Sequence, residues 1–82
     1  MLRYKLFFTP MCPNCPKVKE FMKTVDMRGE LVDASTDEGL MQAEKFNVAS
    51  VPTVVFLDDD KVRSVACSVE EIKRVVQNKT LF

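Results

Sequence analysis

This sequence has no histidine, no excess charge of either sign and no long hydrophobic run. With 12 basic residues balanced by 12 acidic ones, it lacks the clustered positive charge that neutralises phosphates, so nucleic acid is not an expected partner. Lys17, Lys19 and Lys23 come nearest to a basic cluster. Glu20 interrupts them, and they read as the solvated face of a helix. The apolar stretch Leu6–Phe8 is far shorter than the roughly 7–15 residues of a signal-peptide core. Nothing approaches the roughly 18 apolar residues needed to span a bilayer. A cytoplasmic protein with no membrane partner is therefore expected. Three cysteines, an odd number, suit a secreted disulfide framework poorly. In a reducing compartment a close pair reads instead as redox-active or metal-binding.

What is present is one small domain, expected over residues 1–82, with 46% apolar residues and no repeats or linkers. A core of this size supplies only about 3–5 kcal/mol of net stability, so little chain is left beyond the fold and one site. Arg3 to Phe8 reads as a first strand. From Pro13 to about Asp26, the apolar residues Val18, Phe21, Met22 and Val25 recur at helical spacing. Arg28–Gly29 is the expected break, followed by a short strand from Glu30 to Asp33. Ser35, Thr36 or Asp37 caps a second helix, whose buried stripe is expected at Leu40, Ala43 and Phe46. Thr53 to Leu57 is apolar throughout, as in a strand buried on both faces. Asp58–Asp60 makes a turn into Lys61–Ala66, and Ser68-x-x-Glu71 has capping-box spacing ahead of a third helix. The order β-α-β-α-β-β-α predicts an α/β fold with a mixed four-stranded sheet flanked by three helices. Phe7, Phe21, Phe46 and Phe56 are expected in its core.

The chemistry lies in Thr9-Pro-Met-Cys-Pro-Asn-Cys-Pro16, between the first strand and the first helix. Cys12 falls at the expected N-cap with Pro13 at the first helical position, where a missing N–H is harmless. Backbone amides and the positive end of the helix then stabilise a Cys12 thiolate, the form that attacks a disulfide. Cys15, one turn further on, is placed to resolve the resulting mixed disulfide. Pro16 is an oddity, since at the fourth helical position it removes the first helical hydrogen bond. The rival reading is a metal-binding module. Zinc takes four ligands, and with no histidine and only Cys67 besides, a monomer would need a carboxylate or water. An iron–sulfur cluster or zinc shared across a dimer belongs to the same rival.

A second pattern, Ala43-x-x-Phe46-x-Val48-x-x-Val51-Pro52-Thr53, leads into the apolar strand. Taken with strand–Cys-Pro-x-Cys–helix some forty residues earlier, it resembles the thioredoxin/glutaredoxin superfamily over essentially the whole chain. The short length and the Cys-Pro-Asn-Cys pair are similar to the small glutaredoxin-like thioredoxins. The resemblance implies a thiol–disulfide oxidoreductase that reduces protein disulfides, with Cys12 as nucleophile and Cys15 as resolving thiol. It implies no cofactor beyond the redox-active Cys12–Cys15 disulfide, and a monomer in electron transport. By position, Pro52 matches the family's cis-proline and Val51 the residue whose backbone pairs with substrate, while Met11, Pro13 and Asn14 flank the thiols. Three departures stand out. Met11 replaces an aromatic residue, and Leu6 replaces a buried acid that helps to shuttle protons. Ala66–Cys67–Ser68 stands where glutaredoxins have a Gly-Gly pair that helps to bind glutathione. A flavin-dependent, thioredoxin-reductase-like donor is therefore expected rather than glutathione. In the family fold Cys67 would lie at the active-site end of the sheet, either as a third, regulatory thiol or as a small packed residue.

Overall fold

A computed structural model describes residues 2–77, and it has the expected element order. The ends of the expected domain, residue 1 and residues 78–82, lie outside the described residues. Strand β1 is Leu2–Phe8, helix α1 Cys15–Lys23, strand β2 Arg28–Asp33 and helix α2 Asp37–Lys45. They are followed by β3 Thr53–Asp58, β4 Lys61–Ala66 and α3 Val69–Gln77. The sheet runs β2-β1-β3-β4, with β1 and β2 parallel and the other two pairings antiparallel. No described helix is long and apolar enough to cross a membrane.

Alternation along the central strands sends side chains to two cores, one on each face of the sheet. Leu6, Val54, Phe56 and Ala66 meet Val18 and Met22 of α1 and Ile72 and Val75 of α3. Phe7, Val32, Val55 and Leu57 meet Ala43 of α2. Every residue from Val54 to Leu57 is buried, as the unbroken apolar run required. Phe7 and Phe56 are fully buried, whereas Phe21 and Phe46 only edge their cores. Leu6, in the position of the family's buried acid, is fully enclosed by apolar neighbours and has no part in moving protons.

Several boundaries differ from those expected. Arg28–Gly29 does not break the chain but begins β2, where Arg28 pairs with Arg3 and Gly29 with Tyr4. Helix α1 stops at Lys23, because the Thr24 hydroxyl and amide both donate to the Phe21 carbonyl. In α2 the inward positions are Gly39 and Ala43, and Leu40 is half exposed. The helix meets the end of β2 so closely that a Cβ on Gly39 would collide with the Asp33 carbonyl oxygen. No larger side chain fits that position, and this sets the rotation of the helix.

Thr36 caps α2, its hydroxyl accepting from the Gly39 amide at 3.0 Å. The far end of α2 closes on Asn47 in the left-handed region, a conformation asparagine tolerates (φ 58°). Asn47 N–H donates to the Glu44 carbonyl and Val48 N–H to that of Ala43, a Schellman ending with Val48 packed into the second core. That ending directs the chain toward Val51–Pro52.

Candidate active site

Residues 9–14 join the end of β1 to the start of α1. Pro10 and Met11 form a tight turn in which Cys12 N–H donates to the Thr9 carbonyl at 3.2 Å. Met11 stands 89% exposed at its tip. The helix does not begin at Cys12. Asn14 is the N-cap, Cys15 the first helical residue and Pro16 the second. The expected oddity at Pro16 therefore disappears, since an amide at the second helical position has no intrahelical acceptor for proline to forfeit. Pro13 lies ahead of the helix, exposed like Asn14.

Cys12 and Cys15 are joined by a disulfide with their Cα atoms 5.4 Å apart. They are not equivalent: Cys15 is 1% exposed, whereas Cys12 is half-buried. The sulfur open to a partner is thus that of Cys12. The first turn of α1 carries no acidic residue, so nothing there offsets the positive end of the helix next to the pair.

The second pattern arrives from the other side. The Val51–Pro52 peptide is cis, and Pro52 is buried. Thr53 begins β3, its hydroxyl donating to the Ser50 carbonyl at 2.7 Å and lying 3.7 Å from Cys67 Sγ. Cys67 is exposed in the bend before α3, with its N–H donated to Glu71 Oε2 at 2.9 Å. Glu71 N–H in turn donates to the Ser68 hydroxyl at 3.2 Å, so Ser68 caps α3 as expected, while the Glu71 carboxylate reaches one residue past the N-cap, to Cys67 N–H. Asn14, Val18, Pro52 and Cys67 line one open groove of about 380 Å³, with Lys17 and Glu70 at its rim. Asn14, Pro52 and Cys67 are thus brought together. Val51 packs into the second core, and Met11 is not part of the groove.

Lys19 was grouped with the solvated lysines by its sequence neighbours, and the structure separates it from them. Lys23 pairs with Glu20 at 3.2 Å in the open, but Lys19 is half-buried with Nζ 3.6 Å from the centre of the Phe8 ring. Phe8 pairs with Asp33 across β1 and β2. Donation from the Ser35 hydroxyl and amide holds the Asp33 carboxyl below its ordinary value, and the nearby Lys19 charge adds to this. Among the described residues, no three or more His, Cys, Asp or Glu side chains gather as a metal site would require.

A disulfide at the mouth of a helix, one sulfur accessible and the other buried, with a cis-proline loop nearby, defines a thiol–disulfide oxidoreductase. A family profile for the thioredoxin domain matches residues 2–77, and the chain belongs to that family. A protein described as a probable thioredoxin of Archaeoglobus fulgidus is 40% identical over 62 residues, 71% of this chain and 68% of that protein. The solved structure of oxidised thioredoxin O2 from Arabidopsis thaliana superposes with a TM-score of 0.78, covering 100% of this chain and 76% of that one at 18% identity. Fasciola hepatica thioredoxin gives a TM-score of 0.73 at 27% identity, over 99% of this chain and 81% of its own. The mixed four-stranded sheet with three helices is therefore the thioredoxin fold, and protein disulfides are the substrate class it serves.

Proposed function

We propose that this protein reduces protein disulfides by a two-step exchange in which Cys12 is the nucleophile and Cys15 the resolving thiol. The supporting observation is the unequal exposure of the two linked sulfurs, Cys15 being enclosed at the first position of α1. In the reduced protein, the Cys12 thiolate donates its electron pair to one sulfur of the substrate disulfide, and the other leaves as a thiolate that takes a proton from water. The Cys15 thiolate then attacks Cys12 Sγ, forming the Cys12–Cys15 bond and expelling the second substrate thiolate. Only Cys12 needs to be reached by the partner.

The substrate backbone lies along Val51 and Pro52, with Met11, Pro13 and Asn14 supplying the surrounding contact surface. The exposure of Met11, Pro13 and Asn14 and the groove shared by Asn14 and Pro52 support this assignment. Reading a backbone rather than side chains suits a reductant with several protein partners. The protein works as a cytoplasmic monomer without a further cofactor, and a flavin-dependent, thioredoxin-reductase-like donor regenerates the dithiol. Cys67, exposed on the groove it shares with Asn14 and Pro52, stays outside the Cys12–Cys15 couple and acts as a regulatory thiol. If Cys67→Ser leaves both reduction rate and sensitivity to oxidation unchanged, that part of the assignment fails.

Cys15→Ser tests the division of labour. It should accumulate a stable mixed disulfide between Cys12 and a substrate protein, with turnover falling at least about 100-fold because release requires the second thiol. Cys12→Ser should form no such adduct. Adducts through Cys15, or none in either variant, would reject the assignment.

A further inference from the structure

The fold leaves one chemical need unmet. Cys15 must lose a proton before it can attack, its side chain is almost fully enclosed, and the first turn of α1 offers no acidic side chain to take that proton. We infer that Lys19 meets this need electrostatically: the ammonium of this half-buried residue, held over Phe8, favours the Cys15 thiolate and sets the rate of the resolving step. This deepens the dithiol mechanism above and rests on it.

Three observations place the charge. Residues four apart on a helix share a face with their Cβ atoms roughly 5–6 Å apart, so Lys19 lies one turn below Cys15. Long helical side chains lean toward the N-terminus, which carries the Lys19 stem toward the turn that begins at Cys15. The ammonium ends 3.6 Å from the centre of the Phe8 ring, and Phe8 is the last residue of β1, immediately ahead of the Thr9–Cys12 turn. Lys19 is thus bracketed by the two segments that carry the thiols. Its ammonium sits on an aromatic face and the residue is half-buried, whereas Lys17 and Lys23 are exposed.

The other charges around it have been assigned. On α1, Lys23 is paired with Glu20. Lys17 faces the groove beside Glu70 of α3. From β1, Tyr4 borders the depression that Lys19, Glu20 and Lys23 also line. From the end of β2 comes the Asp33 carboxylate, which accepts two donors from Ser35 and also feels the Lys19 charge, so that charge is shared between Asp33 and the Cys15 thiolate. Lys19 is the cation of this group that the helix directs toward Cys15. The proton itself leaves to water. Lys19 stays charged throughout and acts as a positioning residue, not as the base.

The test uses full-length protein in a Cys67→Ser background and follows thiolate release from an aromatic disulfide reagent under single-turnover conditions. The first equivalent reports attack by Cys12 and the second reports resolution by Cys15. Lys19→Met keeps the stem over Phe8 and removes the charge. Near neutral pH it should slow the second release roughly three- to tenfold and shift that step's pH profile upward, with the first release changed by less than about twofold. Lys19→Arg should restore both rate and profile. If Lys19→Met matches the parent, or Lys19→Arg is as slow as Lys19→Met, the charge has no such role. Absence of a second release in the parent would instead reject the dithiol mechanism itself.

Discussion

Reducing the Cys12–Cys15 bond removes a cross-link that closes only residues 12–15, and the size of that ring limits what the bond does for stability. A cross-link restricts the unfolded chain in proportion to the logarithm of the loop it closes, and for a ring this small the chain-entropy gain is about 2 kcal/mol. The positive end of α1 stabilises a thiolate in the reduced protein and narrows the difference further. Native domains have roughly 0.05–0.15 kcal/mol of stability per residue, or about 4–12 kcal/mol for a chain this long. The reduced protein should therefore stay folded, with its melting temperature lowered by roughly 8–16 °C or less, at about 4–8 °C per kcal/mol. Urea unfolding followed by circular dichroism, with and without a phosphine reductant, measures the difference directly. A loss near 5 kcal/mol, or outright unfolding on reduction, would mean that the pair is a structural staple. The argument that it is a working couple would then be refuted.

Two further outcomes follow from the geometry around α2. Gly39→Ala should destabilise the protein by about 1–3 kcal/mol in urea unfolding, through collision with the Asp33 carbonyl, although helix propensity alone favours alanine by about 1 kcal/mol. Equal or greater stability in that variant would show that α2 does not approach β2 as described. Asp33 carries a pH signature. Its folded pKa is held below the ordinary 3.8, so its stabilising contribution is complete above that value and is lost as pH falls through the lower folded value. Asp33→Asn should flatten that acid limb in a pH series of unfolding curves. An unchanged limb would assign the acid sensitivity to other carboxylates.

The elements were legible in the sequence wherever side-chain periodicity and local chemistry agreed. The unbroken apolar run at Val54–Leu57 gave a strand covered on both faces, and Ser68 and Glu71 gave the cap of α3. Most of the misreadings share a cause: each depended on a contact with another part of the chain. Leu40 fitted the helical period but turned outward, because Gly39 is the residue that the Asp33 carbonyl tolerates. Arg28–Gly29 has the composition of a break, yet pairing with Arg3 and Tyr4 extends the strand through it. At the site, the spacing of Cys12 and Cys15 together with their place between a strand and a helix pointed to their union, but the start of α1 was placed two residues early. Two prolines compete to open that helix, and Pro16 rather than Pro13 lies in its first turn. Lys19 was hidden among charged neighbours because half-burial against Phe8 depends on where β1 passes beneath the helix.

A redox-buffer titration of metal-free protein, with alkylation and peptide mapping of each cysteine, addresses the central claim most directly. The account predicts a reversible Cys12–Cys15 disulfide with Cys67 left free, at a potential in the range of about −200 to −270 mV typical of glutaredoxins and thioredoxins. Failure of that pair to form, or metal that must be stripped before the thiols react, would contradict it and favour a metal-binding module.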